Sequence, residues 1–255
     1  AAEVTGLAAS QIPAGPKLDT DAVDAAAKLL ANAKRPLIIA GGGALSAGPA
    51  LEQLAQYLQA PVVTFRNGRG VISDRSYLSQ MFPAGNDLWR GADVVIGLGS
   101  RMEQQYLYWG IGPDQKIIRI DIDAEEIDRI AQPVVGIHAD AAEAVPALLE
   151  AVQRLTGSAN SREDELTELK SKVNSQIAGS VQPQYDYLQA IRRALPEDGL
   201  FVDEITQCGY ASWYAFPVYR PRSLINCGYQ GTLGYGYATA LGVQAADPDR
   251  AVVNI

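Results

Sequence analysis

From residue 20 onward, short apolar runs alternate with stretches whose apolar residues recur every three or four positions. The short runs are continuous in apolar residues, which indicates strands buried on both faces. Alternation of such strands with amphipathic helices is typical of a parallel sheet covered on both sides. We therefore predict an α/β fold, a doubly wound, Rossmann-like central domain over residues 20–157. Its strands are expected at 36–40, 61–64, 92–98, 116–121 and 134–137.

Helix starts are marked by small polar or acidic residues. Thr20 is positioned to cap the first helix. Asp123 with Glu126, and Asp140 with Glu143, have the spacing of a capping box. We expect a helix to begin at each of these three places.

The pattern divides the rest of the chain. Residues 1–19 lack periodicity and predict a linker or arm, and residues 158–182 predict a linker helix. That helix has an apolar stripe, and we expect its charged face to be solvated (Arg162, Glu163, Glu165 and Lys170). Strand patterns at 199–202, 223–226 and 251–255 predict a second α/β domain over 183–255. Because ligands of open parallel sheets bind beyond the strand ends, we expect this domain to be truncated at its last strand.

Composition excludes several classes of function. The 255 residues carry 21 Lys+Arg against 29 Asp+Glu, a net charge of −8. This acidic balance argues against a nucleic-acid partner and an anionic membrane surface. His138 is the single histidine, so no two-histidine zinc site exists in the chain, and the two cysteines form no disulfide framework. An enzyme with this composition would use carboxylates or a cofactor.

Three stretches could carry chemistry. The glycines 41–43 follow a strand and could hold a phosphate, although a tight turn explains them equally well. Asp203 and Glu204 follow the strand at 199–202 and could be an acid dyad, a metal site or a helix cap, with the cap favoured. The stretch 228–236 has four glycines in nine residues, which permit close approach of the backbone to a ligand.

The order of motifs resembles the thiamine-diphosphate-dependent decarboxylases and carboligases, above all acetolactate synthase large subunits. The resemblance rests on Gly231-Thr-Leu-Gly-Tyr-Gly236, the small-residue helix after it and the strand 251–255. Upstream, the segments 34–43, 92–99 and 120–127 resemble successive strand ends of the family's central domain. The match spans essentially the whole chain.

The resemblance implies thiamine diphosphate and Mg²⁺ as cofactors and a small-molecule 2-keto acid or aldehyde as substrate. It also implies that the cofactor-activating glutamate precedes residue 1 and that the Mg²⁺ ligands follow residue 255. These 255 residues would then be a central domain plus the first half of a diphosphate-binding domain. They would hold no catalytic residue and no metal ligand, and would be inactive alone.

Matched residue by residue, five positions would contact the cofactor. Thr206 and Gln207 would bind its diphosphate. Gly231 would offer its carbonyl to the pyrimidine amino group, and Thr232 continues that turn. Leu233 would be an apolar wedge that bends the cofactor, with plain core packing as the alternative.

One departure argues against a flavin. Acetolactate synthases that bind FAD usually carry R-F-D-D-R after the strand that matches 94–98. This chain has Arg101-Met-Glu-Gln-Gln105, in which only Arg101 agrees. The resemblance therefore leaves both FAD and acetolactate synthesis in doubt.

We expect part of a cytoplasmic, homo-oligomeric thiamine-diphosphate-dependent lyase or carboligase. Two other interpretations stay open. One is a non-catalytic nucleotide-binding module of Rossmann type, which would explain the glycines 41–43 but not the stretch 228–236. The other is an oligomerisation fragment.

Overall fold

A six-stranded parallel sheet forms the larger layer of the fold. The computed structural model describes residues 14–228 and 230–255, so the predicted arm over 1–19 lies mostly outside the described residues. The strand order is β3-β2-β1-β4-β5-β6, with every neighbouring pair parallel. The strands are β1 (Pro36–Ala40), β2 (Val62–Thr64), β3 (Ser79–Met81), β4 (Val94–Leu98), β5 (Lys116–Asp121) and β6 (Val135–His138).

The predicted α/β fold class is confirmed. Every residue of β1 and β4 is buried, as expected of strands covered on both faces. The helices of this part are α1 (Thr20–Ala31), α2 (Gly48–Leu58), α3 (Phe82–Gly91), α4 (Ala124–Asp128) and α5 (Ala141–Leu155). Short helical turns also lie at Gly42–Ala47, Arg66–Gly68 and Gln105–Trp109.

Two of the three predicted helix starts are confirmed, and the third is wrong by one residue. Asp123 and Asp140 accept hydrogen bonds from backbone N–H groups at the starts of α4 and α5. At α1 the cap is Asp19, whose carboxylate accepts from the N–H groups of Asp21 and Ala22. Thr20 is the first helical residue. A carboxylate is a better acceptor than a hydroxyl at the positive end of a helix.

The charged helix α6 (Glu163–Ser180) packs against a strand that the hydrophobic pattern did not predict. In that strand, β3, Gln80 is fully buried and donates from Nε2 to the carbonyls of Tyr77 and Leu166. Lys170, expected on a solvated face, donates instead to the carbonyls of Asp74 and Ser76. The Gln80 amide nitrogen and the Lys170 ammonium can be buried here because backbone carbonyls accept from them.

A second, three-stranded parallel sheet has the order β8-β7-β9. Its strands are β7 (Leu200–Val202), β8 (Leu224–Ile225) and β9 (Val252–Asn254). Its helices are α7 (Gln184–Ala194), α8 (Gln207–Ala215) and α9 (Tyr235–Ala246). The division of the chain into domains stays a prediction.

A buried ion pair that follows β2 in the larger sheet binds the end of α8, a helix of the second sheet. Arg69 follows β2 and is 1% exposed. Its guanidinium donates to the carboxylate of Asp74 at 2.6 Å and to the carbonyls of Trp213 and Phe216 at 2.6 and 2.8 Å. Asp74 also accepts from the N–H of Val218 at 2.7 Å. The larger sheet therefore holds the end of α8 through groups that water does not reach.

We expect Asp74→Ala to lower the free energy of unfolding by about 3–5 kcal/mol, because it leaves the Arg69 guanidinium charged and buried without its carboxylate. The matched control is Asp24→Ala, which breaks an exposed pair with Arg154 and should cost about 1 kcal/mol or less. Urea denaturation followed by circular dichroism measures both. Equal losses in the two variants would contradict this account.

Candidate functional site

The predicted diphosphate contacts lie at the start of α8, one turn after β7 ends. Thr206 is the N-cap of α8, and its Oγ1 accepts from the N–H of Gly209 at 3.0 Å. The hydroxyl hydrogen remains available to donate. Gln207 is exposed, and its Oε1 accepts from Nε2 of Gln184 at 2.6 Å. That bond leaves the Gln207 Nε2 as a donor beside the positive end of the helix, an arrangement suited to an anion.

The predicted turn lies just before α9. Gly231, Thr232 and Leu233 are all exposed, and the N–H of Thr232 donates to the carbonyl of Gln230 at 3.1 Å. Leu233 is 76% exposed, so it does not pack in the core of the part of the chain that the structure describes, and its role toward a cofactor stays a prediction. Tyr229, within the glycine-rich stretch, lies outside the described residues.

The structure brings this turn to the edge where β7 ends. A Cβ added at Gly231 would lie 3.9 Å from Cδ1 of Ile205. Glu204 accepts from the N–H groups of Gly234 at 3.2 Å and Gly236 at 2.8 Å. The stretches around 204–207 and 231–234 are therefore neighbours in space, although about 25 residues separate them in the chain.

Asp203 is the buried acid of the site. It is fully buried, accepts from the indole Nε1 of Trp213 at 2.5 Å, and shares a hydrogen bond with the hydroxyl of Tyr235. Burial raises the pKa of Asp203 to about 7; the negative charge of Glu204 adds to the rise, while the Trp213 hydrogen bond and the Arg66 charge oppose it. A carboxyl in so dry a place keeps its proton far above its ordinary range.

Arg66 connects the larger sheet to this site. It follows β2 with a φ of 47°, and its guanidinium carbon lies 4.0 Å from the centre of the Trp213 ring. Nη1 donates to the carbonyl of Gly228 at 3.5 Å. Stacking a guanidinium on an indole is favourable and fixes both groups. Arg66, which follows a strand of the larger sheet, thus contacts the first residue of the glycine-rich stretch.

A cleft of about 640 Å³ lies at the carboxyl ends of β1, β2 and β4, and Arg66 and Gly228 also line it. Strand order reverses between β1 and β4, the place where open α/β sheets bind ligands. Gly41 and Gly43 line up against Gly99, and an added Cβ at either would lie under 3 Å from its backbone. Close packing of two strand ends therefore requires these glycines, with or without a phosphate.

Two absences apply to the part of the chain that the structure describes. No group of three or more His, Cys, Asp or Glu residues there could hold a metal ion. No helix among the same residues is long and apolar enough to cross a membrane.

Comparison with known proteins decides the family. The model of the thiamine pyrophosphate enzyme central domain matches residues 23–148, and that of the C-terminal thiamine pyrophosphate-binding domain of these enzymes matches residues 204–255. The chain belongs to the thiamine pyrophosphate enzyme family. Thiamine pyrophosphate is another name for thiamine diphosphate, so the predicted resemblance is confirmed.

Relatives within the thiamine pyrophosphate enzymes are of several kinds. The chain is 31% identical to a probable 2-ketoarginine decarboxylase of Pseudomonas aeruginosa and 31% identical to a glyoxylate carboligase of Escherichia coli. In both cases the match covers 91% of this chain and 42% of the relative. An acetolactate synthase large subunit of Escherichia coli is 27% identical over 98% of this chain and 46% of that relative. The chain therefore spans less than half the length of these relatives.

Sequence reasoning missed part of the candidate site. Arg66, Trp213 and Gln184 were not singled out, because no local pattern connects residues so far apart in the chain. Asp203 and Glu204 were noticed as an acid pair at a strand end. Their partners on α8 and α9 carried no sequence signal beyond the density of glycines.

We expect Asp203 to make the protein less stable as pH rises from about 4 to 7. In that range the unfolded chain loses a proton that folded Asp203 keeps, so the free energy of unfolding falls, by about 1.4 kcal/mol for each unit of pKa difference. Asp203→Asn keeps a neutral side chain and removes this dependence. The difference between wild type and variant, measured by urea denaturation from pH 4.5 to 8, should therefore change up to pH 7 and level off above it.

A control for this experiment is Asp249→Asn, an exposed substitution in the turn after α9. It should leave the pH dependence as in the wild type. A constant difference between wild type and Asp203→Asn across the whole range would show that Asp203 does not hold a proton near neutral pH.

Proposed function

We propose that the whole protein is a thiamine-diphosphate- and Mg²⁺-dependent enzyme that decarboxylates a 2-keto acid or joins it to an acceptor carbonyl. Family membership supports the cofactor, and the names of the decarboxylase, carboligase and synthase relatives support the reaction class. The observation that carries the proposal is the exposed turn 231–233 held beside the start of α8.

The residues present fit the organic part of the cofactor. The Thr206 hydroxyl, the Gln207 amide and the positive end of α8 would hold the diphosphate. The turn leaves space at Gly231, where Ile205 Cδ1 at 3.9 Å is the near contact of an added Cβ. The Gly231 carbonyl would accept a hydrogen bond from the pyrimidine, with Thr232 beside it. Thiamine diphosphate, when bound, supplies a carbanion for attack on the keto carbonyl.

Leu233 would act through shape. Its side chain is apolar and 76% exposed, which is costly unless a ligand or another chain covers it. A bulky side chain under the cofactor would hold its two rings close together. Such orientation lowers the barrier without any new chemical group.

The described residues do not supply a metal site. Mg²⁺ in the whole protein therefore stays a prediction from the resemblance. The described carboxylates at the strand end are already engaged, Asp203 with Trp213 and Glu204 with backbone N–H groups.

We also propose that the enzyme needs no FAD. The segment that departs from the flavin-binding pattern is used within the protein: Arg101 lies 3.5 Å from Glu126, and Glu103 lies 2.8 Å from Arg129. Met102 is buried, and its Sδ would lie 1.9 Å from a Cβ added at Gly97. These side chains serve ion pairs and packing around β4.

A second candidate function is nucleotide binding in the cleft of about 640 Å³, which its place at the reversal of strand order favours. Titration with FAD, NAD and coenzyme A, followed by calorimetry, tests it. Tight binding of one of them, with no binding of thiamine diphosphate by the whole protein, would favour the non-catalytic interpretation.

We propose a cytoplasmic homo-oligomer. Tyr237 and Leu241 lie four residues apart on one exposed face of α9, and contiguous apolar surface marks interaction sites. The described cysteines, Cys208 and Cys227, are free thiols, as is usual in a reducing compartment. Light scattering of the purified protein tests the oligomer.

The activity is tested by release of CO₂ from a panel of 2-keto acids that includes glyoxylate and 2-ketoarginine. We expect the full-length protein to release CO₂ only when thiamine diphosphate and Mg²⁺ are present, and to do so without added FAD, because the flavin pattern is replaced by internal contacts. Absence of turnover with every keto acid, or loss of activity when a bound flavin is removed, would contradict the proposal.

Leu233→Ala should lower kcat in the full-length enzyme by about tenfold or more, while the dissociation constant of thiamine diphosphate changes by about threefold or less. The reason is that the wedge sets geometry more than contact area. Leu155→Ala, at an exposed position at the end of α5, is the control and should leave both constants unchanged. An unchanged kcat in Leu233→Ala would remove the wedge from the proposal.

A further inference from the structure

We propose that Glu204 is a positioning residue that fixes the turn 230–234 for the cofactor by capping α9 from another element. This inference rests on the function proposed above. It goes beyond that function because it assigns a role to a side chain that would touch the cofactor nowhere itself.

The geometry of Glu204 is that of a clamp. Its Oε1 accepts from the N–H of Ile205 at 2.7 Å and of Gly234 at 3.2 Å, and its Oε2 accepts from the N–H of Gly236 at 2.8 Å. One carboxylate thus accepts hydrogen bonds from the next residue in the chain and from two residues at the start of a distant helix. The pKa of Glu204 is lowered by these hydrogen bonds, the one from Ile205 first, so the group is ionised at neutral pH.

The start of α9 needs an external partner. Its N-cap is Gly234, with a φ of 82° and no side chain to accept from the first N–H groups. These N–H groups have no acceptor within the helix itself. Glu204 supplies both the acceptor and a negative charge at the positive end of the helix. The cap that Gly234 cannot provide comes from the end of β7.

The helix start packs closely against the ends of β7 and β9, where Asn254 Nδ2 would lie 2.7 Å from a Cβ added at Gly236. Gly236 is the buried residue of α9, and a Cβ there would lie 2.8 Å from the carbonyl of Asp203 and 3.0 Å from Oε2 of Glu204. The hydroxyl of Tyr235 adds a bond to Asp203. The rest of the helix packs on β9 with one face and leaves the other exposed, so the hydrogen bonds to its first turn come from the acids at the end of β7.

Removal of the clamp should therefore loosen the turn without unfolding the sheets. The residues of the turn precede Gly234 directly, and they would have to be reordered each time the cofactor binds. That ordering would weaken binding. At saturating cofactor the turn would be held by its ligand, so the chemical step would recover.

The experiment compares Glu204→Gln with Glu150→Gln, a substitution at an exposed position of α5, in the full-length protein. Hydrogen–deuterium exchange of the peptide over 230–240 is measured first without cofactor. We expect exchange in Glu204→Gln to accelerate by about tenfold, the equivalent of one hydrogen bond to a charged acceptor. Exchange in the two sheets and in Glu150→Gln should match the wild type.

Titration with thiamine diphosphate and Mg²⁺ then distinguishes a role of Glu204 in positioning the turn for the cofactor from a purely structural role. We expect the dissociation constant to rise by about tenfold in Glu204→Gln, with kcat at saturating cofactor within about twofold of the wild type. Unchanged exchange at 230–240 would overturn the clamp. Faster exchange with an unchanged dissociation constant would reduce Glu204 to a structural cap and overturn its positioning role. Failure of the wild type to bind thiamine diphosphate would instead refute the proposed function and with it the role toward the cofactor, while the exchange result still decides whether the clamp exists.

Discussion

The buried pair of Arg69 and Asp74 sets where the second half of the chain lies. Arg69 donates to the carbonyl of Trp213 in the last turn of α8 and to that of Phe216, the residue after the helix; carbonyls at a helix end have no donor within the helix. A cation at that end also complements the negative end of the helix. Asp74 fixes the next residues by accepting from the N–H of Val218, while its own N–H donates to the Val218 carbonyl. The far end of α8, with Thr206 and Gln207, is located as a consequence.

Such a buried ion pair fixes the position of the elements that it joins more than it adds to the free energy of unfolding. Taking both charges out of water is expensive, and apolar replacements of the same volume are often as stable. The expense is limited here because Asp74 also accepts from Ser79 Oγ at 2.8 Å, and the guanidinium binds two carbonyls. What apolar side chains could not supply is direction. The N–H donors of a planar guanidinium point in fixed directions. The carbonyls of Trp213 and Phe216 must therefore lie in those directions, which fixes the position of α8 against the larger sheet.

The sequence was informative wherever burial alone determined structure. β1 and β4 are buried along their whole length, and their apolar runs predicted them. β3 was not predicted, because a strand of Ser, Gln and Met is stabilised by side-chain hydrogen bonds of Gln80 to Tyr77 and Leu166 that no periodicity reveals. Lys170 was placed on a solvated face for the same reason. The roles of Thr206, Gln207 and the turn 231–233 came from resemblance, since residues so far apart in the chain have no local signal that joins them.

The acid pair after β7 shows how one short motif serves two environments. Successive residues at the end of a strand point to opposite sides. Asp203 turns inward to the indole of Trp213, where desolvation raises its pKa to about 7. Glu204 turns to the open N-terminus of α9, where backbone N–H groups keep it ionised.

The acid pair does include a helix cap, but the helix that it caps is not the next one in the sequence. Thr206 caps α8, the helix that follows in sequence. The carboxylate of Glu204 caps α9, which begins some 30 residues later at a glycine that cannot cap itself. The glycine provides the left-handed backbone conformation at the helix start, and the acid supplies the acceptor that the glycine lacks. The start of α9 is therefore held by a side chain that follows β7 and accepts the hydrogen bonds that Gly234 has no side chain to accept.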